Sequence, residues 1–118
     1  MPRLPPALTA CLLLALLCPA GAQAAADGPP RAGLALAQDK GCVRCHDVAR
    51  HYVGPAFQQV ADRYRGDPGA AGRLAGRIRQ GSVGEWGRVI MPRQPQVSAA
   101  EATALATWIT GLPAPDKR

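Results

Sequence analysis

The run Gly41-Cys42-Val43-Arg44-Cys45-His46 holds the most distinctive chemistry of this 118-residue chain. Two cysteines separated by two residues and followed at once by a histidine form the pattern at which a c-type haem is attached through two thioether bonds. On a turn or helix end, that spacing lets both sulfurs reach the two vinyl-derived carbons along one porphyrin edge. The histidine then projects an imidazole nitrogen under the metal. Other chemistries fit less well. A thioredoxin-like redox pair needs a βαβ unit, and no alternating apolar strand pattern flanks the motif. A closed zinc site needs four ligands. Only Cys42, Cys45, His46 and His51 are on offer, and the adjacency of Cys45 and His46 makes tetrahedral convergence awkward.

The front of the chain bears on the remaining ligand chemistry. Arg3 gives a basic start, Ala7 to Leu17 is almost uninterruptedly apolar, and the Ala/Gly-rich run from Ala20 to Ala26 offers small residues at cleavage spacing. This reads as a secretory signal peptide over residues 1–24, cut after Ala22 or Ala24. An uncleaved anchor is the alternative, but the apolar run is short of the roughly 20 residues that a spanning helix needs, so no stable membrane insertion is expected. Lipidation at Cys18 is disfavoured by Leu16 and Leu17 before it. Cleavage removes Cys11 and Cys18 and leaves Cys42 and Cys45 as the mature cysteines. Export matches haem attachment, which in bacteria happens outside the cytoplasmic membrane, and the expected location is the periplasm.

Cleavage also removes Met1, leaving Met91 as the remaining methionine. His46 fills one axial position at iron, and Met91 is the candidate for the other. The bland reading is a gap-filling core methionine. Against it, Met91 lies in an irregular stretch rather than on an apolar helical face, Pro92 stiffens the backbone after it, and it lies far enough from His46 to reach the opposite haem face. His51 follows His46 by only five residues, which keeps it on the same side of the ring, so an exposed histidine is expected there. Nothing points to Lys40 or Lys117 as ligands.

The elements that must position these groups read as helices. Residues 25–30 form a flexible leader, 31–113 one domain and 114–118 a polar tail. A helix is expected from about Arg31 to Lys40, delivering Cys42. After the Gly54-Pro55 turn, Phe57, Val60, Ala61 and Tyr64 recur at amphipathic helical spacing. Ala71, Leu74, Ala75 and Ile78 define a third helix stopped by Gly81. Residues 82–97, with Trp86 and Met91, are the least regular stretch, and a loop that long in a small domain is usually functional. Ser98-Ala-Ala-Glu101 is a capping box opening a last helix with Ala102, Leu105, Ile109 and Leu112 on one face. No segment alternates like a strand. The fold class is all-α: three to four short helices wrapped around a flat ligand, with the first and last helices crossing. A domain this small, with 4% aromatic residues, is marginal alone. A covalent haem would complete its core.

Taken together, the runs Lys40-Gly-Cys-Val-Arg-Cys-His46, Val53-Gly-Pro-Ala-Phe57, Leu74-Ala-Gly-Arg-Ile78, Gly81-Ser-Val-Gly-Glu-Trp-Gly87, Met91-Pro92 and Val97-Ser with Glu101, Leu105 and Trp108 resemble the short bacterial periplasmic class I cytochromes c of the c-551 type. The resemblance covers about Leu34 to Leu112. It implies one haem c held by Cys42 and Cys45, with His46 and Met91 as iron ligands. It also implies that the Pro55 carbonyl accepts the second imidazole N–H of His46, and that Arg77 and Trp86 hydrogen-bond a haem propionate. The chain departs from the family after Met91, where Arg93-Gln94-Pro95-Gln96 stands in place of a second proline and an asparagine that can touch the methionine sulfur. Gln94 is the candidate substitute.

A His/Met pair leaves iron no open position, so the chemistry that remains is one-electron transfer rather than catalysis. The neutral thioether favours Fe(II) and raises the potential. The mature polypeptide carries about +5 before the propionates are counted. The exposed arginines are mostly solvated surface, but a subset near the haem edge would steer docking onto acidic redox partners such as a reductase, oxidase or dehydrogenase. Export argues against nucleic acid. The expectation is a monomeric, soluble periplasmic electron carrier of a respiratory chain. The alternatives are a haem subunit of a dehydrogenase or oxidase complex and a ligand-binding or peroxidatic haem protein.

Overall fold

The computed structural model describes residues 33–116; the expected signal peptide, the leader, Arg31, Ala32, Lys117 and Arg118 lie outside the described residues. Four α-helices and one small hairpin make up the described fold: α1 (Leu34–Asp39), α2 (Phe57–Arg63), α3 (Ala70–Gln80), β1 (Ser82–Gly84), β2 (Gly87–Met91) and α4 (Ala99–Thr110). A 3₁₀ turn over Cys42–Arg44 carries the cysteine motif. The fold is all-α apart from the hairpin.

The helices follow the apolar periodicities. Phe57, Val60 and Ala61 are the buried face of α2, and Ala70, Leu74 and Ile78 that of α3. On α4 the buried residues are Ala102, Leu105, Ala106 and Ile109, successive turns of one stripe. Its start is fixed by a reciprocal cap: the Glu101 amide donates to Ser98 Oγ at 3.2 Å, and the Ser98 amide donates to Glu101 Oε2 at 2.9 Å. Packing α3 against α4 makes the broadest helix interface, and α4 also meets α2 and α1. The contact between the first and last helices is tight at Gly33, where a Cβ would lie 3.3 Å from the Trp108 ring. Lys40 Nζ then meets Glu101 Oε1 at 2.8 Å, joining the end of α1 to the start of α4.

The hairpin falls within residues 82–97, which the sequence reads as an irregular loop. β1 and β2 are antiparallel, pairing Ser82 with Met91 and Gly84 with Gly87, with an irregular register between. The consecutive residues Val89, Ile90 and Met91 all line one cavity, so there is no alternation to read. What makes the hairpin is glycine: Gly84 and Gly87 flank the Glu85-Trp86 tip with φ of 78° and 98°. Gly81, the residue that ends α3, has φ 79° and leaves no room for a side chain, because a Cβ there would lie 2.6 Å from the Met91 carbonyl oxygen. That close approach fixes where the second strand delivers Met91.

Candidate haem site

The cysteine motif sits between α1 and the Val53–Ala56 turn. Its 3₁₀ turn is entered through Gly41 at φ 77°, and the amides of Cys45 and His46 both donate to the Cys42 carbonyl, at 3.2 and 3.0 Å. Backbone bonds then fold the next segment back on the motif. The Gly54 amide donates to the Cys45 carbonyl at 2.7 Å, and the Phe57 amide to the Asp47 carbonyl at 2.9 Å. Asp47 Oδ1 accepts the amides of Ala49 and Arg50, which draws its carboxyl below the usual range and shapes the intervening turn. Cys42 and Cys45 form no disulfide with each other. The Cys42 sulfur is half-buried and lies against the apolar core.

His46 is held on several sides. Its Nδ1 lies 2.8 Å from the Pro55 carbonyl oxygen. A carbonyl only accepts, so Nδ1–H donates to it, and Nε2 is the ring nitrogen that could take a metal. The ring stacks on Phe57 at 5.2 Å and 16°, and Phe57 in turn meets Trp108 edge-on at 5.1 Å. Gly54 lies so close that a Cβ would come within 2.5 Å of His46 Cε1. Sequence reasoning read Gly54 as a turn residue and Phe57 as core, and missed that both hold the imidazole. Their proximity to Pro55 was the available signal.

The cysteines, His46, Pro55, Arg77, Trp86 and Met91 all line one cavity, about 1240 Å³ including the space at its open mouth. All of the site residues expected from the sequence are therefore brought together. Leu74, Ile78, Leu105 and Ile109 make its floor largely apolar. The donor set and the lining fit a covalent haem: two cysteine sulfurs and an imidazole, a thioether at the end of β2, and apolar walls for a flat macrocycle.

At the cavity wall the structure adds a residue that sequence reasoning missed. Arg77 Nη1 is paired with Glu85 Oε1 at 2.5 Å. Arg63 donates to the Glu85 carbonyl at 2.6 Å and places its guanidinium 4.6 Å from the centroid of the Trp86 ring. The hairpin tip is thus clamped by arginines from two helices. Nothing in the spacing of Arg77 and Glu85 along the chain foretold their contact, since the turn at Gly81 creates it. Gln94, the expected neighbour of the Met91 sulfur, donates from Nε2 to the Pro92 carbonyl at 2.9 Å and accepts from Gln96 at 2.7 Å. His51 is exposed, as expected, and Lys40 is engaged with Glu101.

A four-helix fold with a tethering Cys-x-x-Cys-His turn opening on an apolar cavity defines a haem-c-binding protein. The cytochrome c family model matches residues 30–113, and the chain belongs to that family. It is 51% identical over 81 residues to cytochrome c-551 of Allochromatium vinosum, covering 69% of this chain and 86% of that protein. It is 48% identical over 77 residues to cytochrome c-552 of Hydrogenobacter thermophilus, covering 65% and 78% of the two chains. Among solved structures, wild-type Nitrosomonas europaea cytochrome c552 superposes with a TM-score of 0.67 at 43% identity, covering 69% of this chain and all of that one. The protein carries one haem c, bound covalently through Cys42 and Cys45, and is a monohaem electron carrier.

Proposed function

We propose that this protein is a soluble periplasmic carrier that accepts and passes single electrons between respiratory partners, with His46 Nε2 and Met91 Sδ as the axial ligands and the Pro55 carbonyl fixing the imidazole. The observation that carries the reading is the 2.8 Å contact between His46 Nδ1 and the Pro55 oxygen, which engages one ring nitrogen and keeps Nε2 for a metal in a cavity that Met91 also lines. The haem supplies a one-electron Fe(II)/Fe(III) couple. The residues do the rest. Cys42 and Cys45 would tether it, His46 and Met91 would hold its metal, and Phe57 and Gly54 keep the imidazole from turning. With both sides closed no substrate has a place to bind, which supports electron transfer and not catalysis.

Partner recognition in this reading is electrostatic. Arg44, Arg50, Arg63, Arg65, Arg73, Arg79, Arg88 and Arg93 are all exposed, and the whole sequence carries a formal charge of +6. Acidic docking faces on a reductase, oxidase or dehydrogenase would be drawn to them, in the small, short-lived encounters that turnover requires. No helix among the described residues is long and apolar enough to cross a membrane. Arg77 and Trp86 are proposed to hold the haem propionates, and both line the cavity.

The test is a potentiometric titration of the holoprotein with optical detection. A single one-electron transition at positive potential, with the thioether-to-iron charge-transfer band in the oxidised form, is the expected result. A missing band with Met91 intact would overturn the ligand assignment.

A further inference from the structure

Arg77, proposed above to hold a haem propionate, also has a carboxylate of this chain as a partner. Arg77 Nη1 and Glu85 Oε1 are 2.5 Å apart, with the side chains 39% and 28% exposed. Both residues line the cavity with His46 and Met91. The groups facing Glu85 are its ion-pair partner Arg77 on α3 and, at its backbone, Arg63 on α2. Arg63 also lies over Trp86, so the tip carrying Glu85 is pinned in place. Gly84 and Gly87, with positive φ on either side, set the turn that aims the carboxylate back at α3.

Charge at such a place has a definite consequence. A positive group beside a redox centre disfavours the oxidised state, which carries one more positive charge, and a negative group favours it. Charges on a cavity wall are screened less than charges in open water. Arg77 alone would therefore raise the midpoint potential, and Glu85 opposes it. We propose that Glu85 is a positioning residue that tunes the redox centre, holding Arg77 on the cavity wall and cancelling its charge so that the midpoint potential is lower than Arg77 alone would set. The inference rests on the carrier reading above.

The experiment is a potentiometric titration of the holoprotein and three variants, Glu85→Gln, Glu85→Asp and Arg77→Gln, with the oxidised absorption spectrum recorded for each. Glu85→Gln is expected to shift the midpoint potential upward while the thioether band stays in place. Glu85→Asp, which keeps the charge, should recover most of the wild-type value, and Arg77→Gln should shift the potential downward. A Glu85→Gln potential that is unmoved or lower, or one accompanied only by a change in Tm, overturns the inference. So does a shift of the same sign in Glu85→Gln and Arg77→Gln. If the wild type itself lacks the band or the one-electron transition, the carrier reading fails, which is a different result from a normal wild type with an unresponsive Glu85→Gln.

Discussion

The imidazole of His46 lies 5.2 Å from the ring of Phe57, with the two planes only 16° apart. Phe57 is 4% exposed and begins α2, so the first residue of a helix supports the ring that the cysteine turn presents. A contact between α2 and the cysteine motif thereby becomes part of the haem site.

Removing that support should be costly. Phe57→Ala is expected to destabilise the holoprotein by about 3–5 kcal/mol, the range for deleting a buried phenylalanine. Denaturant unfolding checks it. The same variant should let the His46 ring reorient, visible as a change in the haem spectrum before unfolding begins.

Gly54 makes the complementary prediction. Its Cβ would lie 2.5 Å from His46 Cε1, and the ring cannot swing away without losing its bond to Pro55 and its stack on Phe57. Gly54→Ala should cost about 1–3 kcal/mol, as overpacking does. It should also lower the yield of haem-loaded protein on expression with maturation machinery, measured as the haem-to-polypeptide ratio. A fully loaded variant of unchanged Tm would contradict this.

The legibility of the fold divides along physical lines. α2, α3 and α4 bury one stripe each, and Ser98 with Glu101 satisfies the exposed amides at the start of α4, so spacing and capping residues announced them. The hairpin could not be read that way, because Val89, Ile90 and Met91 line the cavity in succession rather than alternately and its register depends on glycines. The site residues Cys42, Cys45, His46 and Met91 carry chemistry in their types and so stood out. Gly54 and Glu85 act only through what the fold places beside them.

The bond between Lys40 and Glu101 ties stability to pH. The Lys40 ammonium holds the Glu101 carboxyl below its ordinary range, helped by the Ser98 amide, and Glu101 raises Lys40. A depressed carboxylate contributes stability that is present above its unfolded value and lost as pH falls through the folded one. The raised lysine contributes stability present below its unfolded value and lost as pH rises through the folded one. Tm should therefore drop as pH falls below the ordinary glutamate range, at about pH 4. Glu101→Gln should flatten that acid limb, read from Tm against pH.

Electron transfer to an acidic partner should slow as salt is added. Exposed arginines such as Arg44, Arg79, Arg88 and Arg93 supply the attraction, and the Debye length shortens from about 30 Å at 0.01 M to about 10 Å at 0.1 M ionic strength. Stopped-flow rates with an acidic redox protein should fall steeply over that interval. A flat or rising profile would argue for an uncharged or basic docking face.

The central claim is that the protein closes both faces of its redox centre, with His46 on one and Met91 on the other. Exposure of the reduced holoprotein to carbon monoxide near neutral pH, followed by absorption, tests this most directly. The wild type should show no carbon monoxide complex, and Met91→Ala should form one promptly. Ready uptake by the wild type with Met91 intact would contradict the account.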